Sequence, residues 1–370
     1  MNSLNRTQII SAIKAFGAKR TLIIRGEKGI GKTAIHAELQ ADPMFQNYIF
    51  PAVLDCTQMA EGSVWMPEVD SEAGVSRELP NEALGLSKAN QRGVNGSKPV
   101  FIMFDEVGKA PRYIHNMLAP IVNDRRLGSY YFPEGSIIVC CTNLEQEGLG
   151  DTMAAHFEDR MVHLTMRKPS IDEWLNDFAV PHKVHEIVQA TCHNFPKVFD
   201  SFMDYEVGGK YAGKACEKDN EYITNPRIAQ KKSATPRSIH AASDIIYGKD
   251  MMDEETLGEA LAGAVGESFS KCIMTTLRFG QQMPDYDRVI NDPVNCPLPK
   301  DAVPQCVQVF QFVTRAEKAH VEPIVTYVQR MKDEMKGLFA TIVSKNGQKA
   351  AMFAVNKEFG GLLASQRNFF

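Results

Sequence analysis

The eight residues Gly26-Glu27-Lys28-Gly29-Ile30-Gly31-Lys32-Thr33 constrain this chain more than any other stretch. They fit the pattern G-x-x-x-x-G-K-[ST], and the flanking residues make the match informative. Arg20-Thr-Leu-Ile-Ile-Arg25 reads as a buried strand, and Thr33-Ala-Ile-His-Ala-Glu-Leu39 reads as a helix. Strand, glycine loop and helix is the arrangement in which backbone N–H groups and a helix N-terminus wrap phosphates. In that setting Lys32 reaches the β- and γ-phosphates of a nucleoside triphosphate, and the Thr33 hydroxyl ligates Mg²⁺. A glycine-rich turn ahead of an ordinary helix is the bland alternative.

Length and charge narrow the classes. A chain of 370 residues suits two or three domains. A net charge of −4 gives no global pull toward nucleic acid or an anionic membrane. No apolar run approaches the roughly 18 residues needed to span a bilayer. Met1-Asn-Ser-Leu-Asn-Arg6 lacks the basic and then apolar stretch of a signal peptide. The 8 cysteines show no C-x-x-C spacing, so reduced, structural thiols, no zinc and a cytoplasmic location are expected. Cys140 and Cys141 fall in an apolar run, where a thiol packs as a small hydrophobe.

Two further strand ends carry chemistry. Val100-Phe-Ile-Met-Phe-Asp105-Glu106 is an apolar run ending in paired carboxylates, as a central parallel strand buried on both faces would read. Ligands gather at the C-terminal ends of such strands. Asp105 is the candidate holder of Mg²⁺, and Glu106 the candidate that polarises the attacking water. A strand that ends in a solvated acidic turn is the alternative. Ser136-Ile-Ile-Val-Cys-Cys-Thr142-Asn143 is another buried strand with a polar end. The Asn143 amide there either orients the lytic water or serves as an ordinary turn asparagine.

Loop, Asp-Glu strand and Asn-ended strand, in this order, resemble the Walker A, Walker B and sensor 1 motifs of the AAA+ ATPases. Asp105-Glu-Val-Gly-Lys-Ala-Pro-Arg112 and Met117-Leu-Ala-Pro-Ile-Val-Asn-Asp-Arg-Arg-Leu-Gly128 are similar to the MoxR type, related to the dynein and midasin modules. The resemblance implies a parallel α/β domain binding ATP and Mg²⁺, with a helix and a short hairpin between Walker B and sensor 1. Tyr130-Tyr-Phe-Pro-Glu-Gly135 supplies part of that hairpin. Ala155-His-Phe-Glu-Asp-Arg160-Met-Val-His-Leu164 resembles the segment with the arginine finger, which acts on a neighbouring subunit's site. Ala234-Thr-Pro-Arg237-Ser238 resembles sensor 2, whose arginine touches the nucleotide of its own subunit. Arg125 and Arg126 are weaker candidates for contacts across a subunit boundary. Taken alone, Arg160 or Arg237 reads rather as a plain surface or ion-pair residue; its place in the string of motifs is what singles it out.

The long span between Lys32 and Asp105 leaves room for an insert. Gly62 to Pro80, two short apolar stretches around an acidic turn, reads as a hairpin there. The family carries its helix-2 insert at this place, facing the ring axis. Trp65 is then a pore residue or a packed aromatic. The expected domains are residues 1–168 (nucleotide-binding), 169–249 (helical lid) and 250–370 (helical extension). Arg167-Lys-Pro-Ser170 ends the first domain and Ile171-Asp-Glu-Trp174 opens a helix with acidic residues in its first turn, while Val207 to Asn225 reads as an exposed loop. His182, His185 and His193 suit no metal site. In the extension, Glu254 to Phe279 reads as a helix and Gly280 to Pro304 as a loop. A stripe from Val321 through Val325, Val328, Met331 and Met335 to Ile342 reads as one long amphipathic helix.

The resemblance implies an ATPase ring, with six subunits the family number, that remodels or activates a client protein, often one with a von Willebrand factor A domain. Part of the extension's tone, around Pro284 to Pro293, is similar to ATPases of bacteria and phages. Two other classes compete. A replication or loader ATPase calls for a helix-turn-helix or a basic stripe, and the sequence offers neither. A nucleotide-controlled scaffold has no use for Glu106.

Overall fold

A computed structural model of the chain describes residues 3–144, 157, 159–206, 208–226 and 231–366. The chain divides into two compact units, Met1–Lys168 and Pro169–Phe370.

In chain order, the strands of the first unit are β1 (Leu22–Arg25), β2 (Leu54–Asp55), β3 (Trp65–Asp70), β4 (Val75–Pro80), β5 (Phe101–Asp105), β6 (Arg126–Leu127), β7 (Tyr130–Tyr131), β8 (Ile137–Thr142) and β9 (Val162–Thr165). Five of them form a sheet in the order β2-β5-β8-β1-β9, and every pair within it is parallel. The helices α1 (Arg6–Phe16), α2 (Ala34–Ala41) and α3 (Arg112–Asp124) cover it. Side chains alternate across a strand, and here the alternation feeds two cores. Ile23, Ile102, Phe104, Ile138 and Cys140 pack with Ile114, Leu118 and Ile121 of α3. Leu22, Ile24, Phe101, Met103, Val139 and Cys141 pack with Ile9 and Ile13 of α1 and with Ile35 and Leu39 of α2. Both faces are apolar, so the central strands β5, β8 and β1 read as hydrophobic runs. This is a parallel α/β sheet with helices on both faces, and a helical unit follows it.

Two hairpins leave this frame. β3 and β4 pair antiparallel from Trp65↔Pro80 to Asp70↔Val75, inside the stretch expected to turn back on itself. Trp65 packs at its base against the α3-side core, whereas Met66, Val69 and Val75 are exposed. β6 and β7 form a short second hairpin after α3, so a helix and a hairpin do lie between β5 and β8.

The second unit is helical. Ser170 caps the helix Ile171–Trp174 reciprocally with Glu173, satisfying two backbone donors. One core runs through the whole unit: Trp174 and Val188 share it with Ile273, Phe310, Phe339 and Phe359. Residues 169–249 and 250–366 therefore pack around common side chains.

Two helix expectations and one loop expectation are corrected. The stretch Glu254 to Phe279 is two helices, Glu254–Val265 and Glu267–Gly280, separated by Gly266 at φ 84°. A Cβ there would lie 2.7 Å from the Lys232 carbonyl oxygen, so glycine is required for close approach as well as for the turn. Within the stretch Gly280 to Pro304 lies the helix Tyr286–Asn291, and Ala302 already begins the buried helix Ala302–Arg315. The stripe from Val321 is two helices, Val321–Val328 and Asp333–Lys345. Distant partners hold the break: Arg330 Nη1 donates to the Pro293 carbonyl at 2.6 Å, and the Lys332 N–H donates to Gln305 Oε1 at 3.3 Å. The stretch after Val207, itself outside the described residues, includes the short helix Cys216–Asp219 and buried Cys216, Asn220 and Ile223. Among the described residues no helix is long and apolar enough to cross a membrane.

Candidate active site

Neighbouring parallel strands β5, β8 and β1 bring their C-terminal ends to one edge of the sheet. The chain leaves β1 through the glycine loop. A Cβ on Gly26 would sit 2.7 Å from both the Met166 carbonyl oxygen and Ile30 Cδ1, so only glycine lets the loop depart here. Ile30 is buried in the core shared with α1 and α2 and pins the middle of the loop. Gly29 and Gly31 take left-handed conformations, φ 71° and 98°. Nothing lies within 4 Å of a Cβ built on Gly31, so the space beside this residue is open. Lys28 faces solvent at the tip.

The loop delivers Lys32 and Thr33. The Lys32 ammonium is buried and donates to the Gly26 carbonyl (2.7 Å), the Glu27 carbonyl (2.9 Å) and Asn143 Oδ1 (2.8 Å). Thr33 stands at the cap of α2 but makes no side-chain capping bond. Its hydroxyl donates instead to Asp105 Oδ2 at 2.6 Å. The Asn143 amide has two partners: Oδ1 accepts from Lys32, while Nδ2 donates to Glu106 Oε1 (3.0 Å) and Oε2 (3.1 Å). The Lys109 ammonium lies 3.0 Å from Glu106 Oε2. Lys32, Asn143, Glu106 and Lys109 thus form one continuous polar string. Glu106 itself has φ 55°, a left-handed conformation that non-glycine residues adopt at a cost. The Glu106 N–H to Asp105 Oδ1 bond (2.9 Å) and the Lys109 N–H to Glu106 carbonyl bond (2.9 Å) hold it there.

Three thiols lie in the cores near this edge. Burial pushes the Cys56 thiol up to about 12, with Asp55 and Asp105 adding to it. Burial, then Asp105, raises Cys141, and Cys140 is raised by burial as well. All three are protonated near neutrality and supply no nucleophile.

The residues fit a nucleoside triphosphate with its cation. The open space beside Gly31, the buried ammonium and the start of α2 suit a polyphosphate. The Thr33 hydroxyl and Asp105 carboxylate, already in contact, are the hard oxygen donors that Mg²⁺ prefers.

The arginines of the first unit stand elsewhere. Arg160 is exposed in the turn before β9, at the N-terminal edge of the sheet and opposite the glycine loop. With Arg20, Asn123, Asp124 and Asp159 it lines an open cleft of about 570 Å³. Of the segment around it, Ala155, His156 and Glu158 lie outside the described residues. Arg125 is engaged within its own unit: Nε donates to the Ser136 carbonyl (3.2 Å) and Nη2 to the Gly17 carbonyl (3.0 Å). Arg126 donates to the Gly128 carbonyl at 3.3 Å. Arg237 belongs to the second unit, exposed in the first turn of the helix Pro236–Tyr247, which Thr235 caps.

Sequence reasoning did not single out Lys109 or Gly108. The available signal was a basic residue three positions after Glu106, in a glycine-containing turn.

No protein-family model and no curated protein matches this chain. Solved structures that it resembles include NtrX from Brucella abortus in complex with ATP, at 13% identity over 96% of this chain and 67% of that one, with a TM-score of 0.38. A mutant RuvB from Thermotoga maritima shares 11% identity over 86% of this chain and 85% of that one, at a TM-score of 0.35. The S. cerevisiae Hsp104–ADP complex shares 14% identity over 66% of this chain and 43% of that one, at 0.32.

Proposed function

We propose that the chain is an ATPase of the AAA+ class and MoxR type, which binds ATP with Mg²⁺ and hydrolyses it. The observation that carries the proposal is the bonded set at one sheet edge, Thr33 to Asp105 and Lys32 to Asn143 to Glu106. Two strand ends and one loop contribute to it, and a chance loop match would not assemble them. Lys32 would neutralise charge on the β- and γ-phosphates, exchanging its carbonyl partners for phosphate oxygens. Thr33 and Asp105 would hold Mg²⁺, which when bound supplies positive charge to the phosphate oxygens. Glu106 would take a proton from the attacking water, and Asn143 would keep the carboxylate and the water aligned.

Arg160 is read as an arginine finger acting on a neighbouring copy. Strand β9 separates it from its own loop, and that strand alone spans about 13 Å. An arginine side chain does not bridge such a distance, so any phosphate it reaches belongs to another molecule. Arg237 is read as the sensor 2 arginine of its own subunit. Copies joined in this way form a ring, with six the number implied by the resemblance. Its work would be to remodel a client protein, possessing a von Willebrand factor A domain in the family pattern.

Two variants test the chemistry. Lys32→Ala should lose nucleotide binding, because the phosphates lose the loop's cation. Glu106→Gln should keep binding and lose turnover, because an amide is no general base. ATP affinity and phosphate release, measured on both, check the assignment. Equal loss of binding in the two variants would overturn the roles.

A further inference from the structure

Resting on that reading, we infer that Lys109 is a positioning residue for hydrolysis: it aims the Glu106 carboxylate. The contact is a 3.0 Å ion pair between residues three apart, with both side chains partly exposed. Pairs of that description usually hold little, because each side chain moves freely in water. This one differs in what lies beneath it.

The turn Val107–Lys109 is fastened on two sides. The Gly108 N–H donates to Thr142 Oγ1 at 3.2 Å, tying the turn to the end of β8. A Cβ on Gly108 would lie 2.4 Å from that oxygen, so only glycine permits the approach. On the other side His115 Nε2, from α3, donates to the Val107 carbonyl at 2.8 Å. Val107 and Ala110 are fully buried, and the Ala110 N–H donates back to the Val107 carbonyl. The backbone under Lys109 is therefore fixed relative to both β8 and α3.

Glu106 receives two holders as a result. Asn143 approaches its carboxylate from the end of β8, and Lys109 approaches from the turn. The terminal torsion of a glutamate is broad, so a single holder leaves the carboxylate free to swing. Two holders from different elements define its plane. A general base displaced by about 1 Å loses on the order of 10²-fold in rate. Lys109 would thus govern turnover while hardly touching nucleotide affinity, since it faces the carboxylate and not the loop.

The experiment uses the full chain with Lys109→Met, which keeps length and removes charge, and Lys109→Arg, which keeps charge. Lys109→Met should lower kcat roughly ten- to a hundredfold, with KM and the affinity for a fluorescent ATP analogue within about twofold of wild type. Lys109→Arg should recover most of the loss. Combined with Glu106→Gln, Lys109→Met should cost nothing further, because the group it aims is gone. An unchanged or raised kcat in Lys109→Met would overturn the inference, as would an added loss on the Glu106→Gln background or weakened analogue binding. If Glu106→Gln itself turns over like wild type, the reading of the site fails. If Glu106→Gln stalls while Lys109→Met does not, only the role of Lys109 fails.

Discussion

The two edges of the parallel sheet carry their charged groups in opposite ways. At the C-terminal edge Lys32, Thr33, Asp105, Glu106 and Asn143 are bonded to one another or to the loop, and the ammonium of Lys32 is buried. At the N-terminal edge Arg160 and Arg20 are exposed in an open cleft, and among the described residues no ion pair engages either. A guanidinium left in water retains its hydration and rotamer freedom until a partner takes it up. On the proposed function, the difference teaches where each chemistry is completed. One edge would hold its reacting groups in place from within, and the other presents a cation outward.

The sharpest way to break this contrast is to mutate the outward edge. On the proposed function, Arg160→Ala should bind ATP almost normally yet hydrolyse on the order of 10³-fold more slowly. Mixing Arg160→Ala with Glu106→Gln should restore some turnover, since an intact Glu106 then sits beside an intact Arg160. Co-assembly without any gain would leave Arg160 important but refute its action across an interface. Near-normal hydrolysis by the single variant would make it an ordinary surface residue.

At the inward edge the expected effects are on stability. Gly108→Ala should cost about 1–3 kcal/mol, the usual range for forcing a methyl into packed space, because its Cβ meets Thr142 Oγ1 at 2.4 Å. Urea unfolding measures it; a change within about 0.5 kcal/mol, typical of open surface sites, would show that the turn yields. The smallest effect concerns Cys56. Its thiol, raised to about 12 when folded, has an ordinary value of about 8.5 when unfolded. The folded state therefore keeps the proton longer. This contribution is whole below about pH 8.5 and is lost as pH rises toward 12, so the urea midpoint should fall between mildly and strongly alkaline solution. Thiol alkylation near pH 8 should spare Cys56 in the folded chain and modify it once urea unfolds it.

The legible and illegible parts of the molecule divide on physical grounds. Lys32 is legible from the glycine-loop pattern, and Asp105 and Asn143 because each stands at a strand end, where an apolar run stops at a polar residue. The hairpin Trp65–Pro80 was readable from its turn. Lys109 was not, because a glutamate and a lysine three apart occur on countless solvated turns; what distinguishes this pair is the fastening through Thr142 and His115, which sequence spacing does not carry. The breaks at Gly266 and around Lys332 were hidden for a related reason. The apolar stripe continues across both, and the groups that impose the breaks, the Lys232 carbonyl, Pro293 and Gln305, come from far along the chain.

Arg160 lying opposite the glycine loop has an arithmetic consequence on the proposed reading. If each working site takes its loop from one copy and its guanidinium from the next, sites are counted by junctions between copies, not by copies. A lone chain has none. An open row of any length has one fewer than its members, and closure adds the last. Head-to-tail contact that fails to close would keep growing instead. Activity per chain would then start near zero in dilute solution and climb with concentration. It would level off when the last junction forms, so a dilution series of the wild type reads out closure without any mutation.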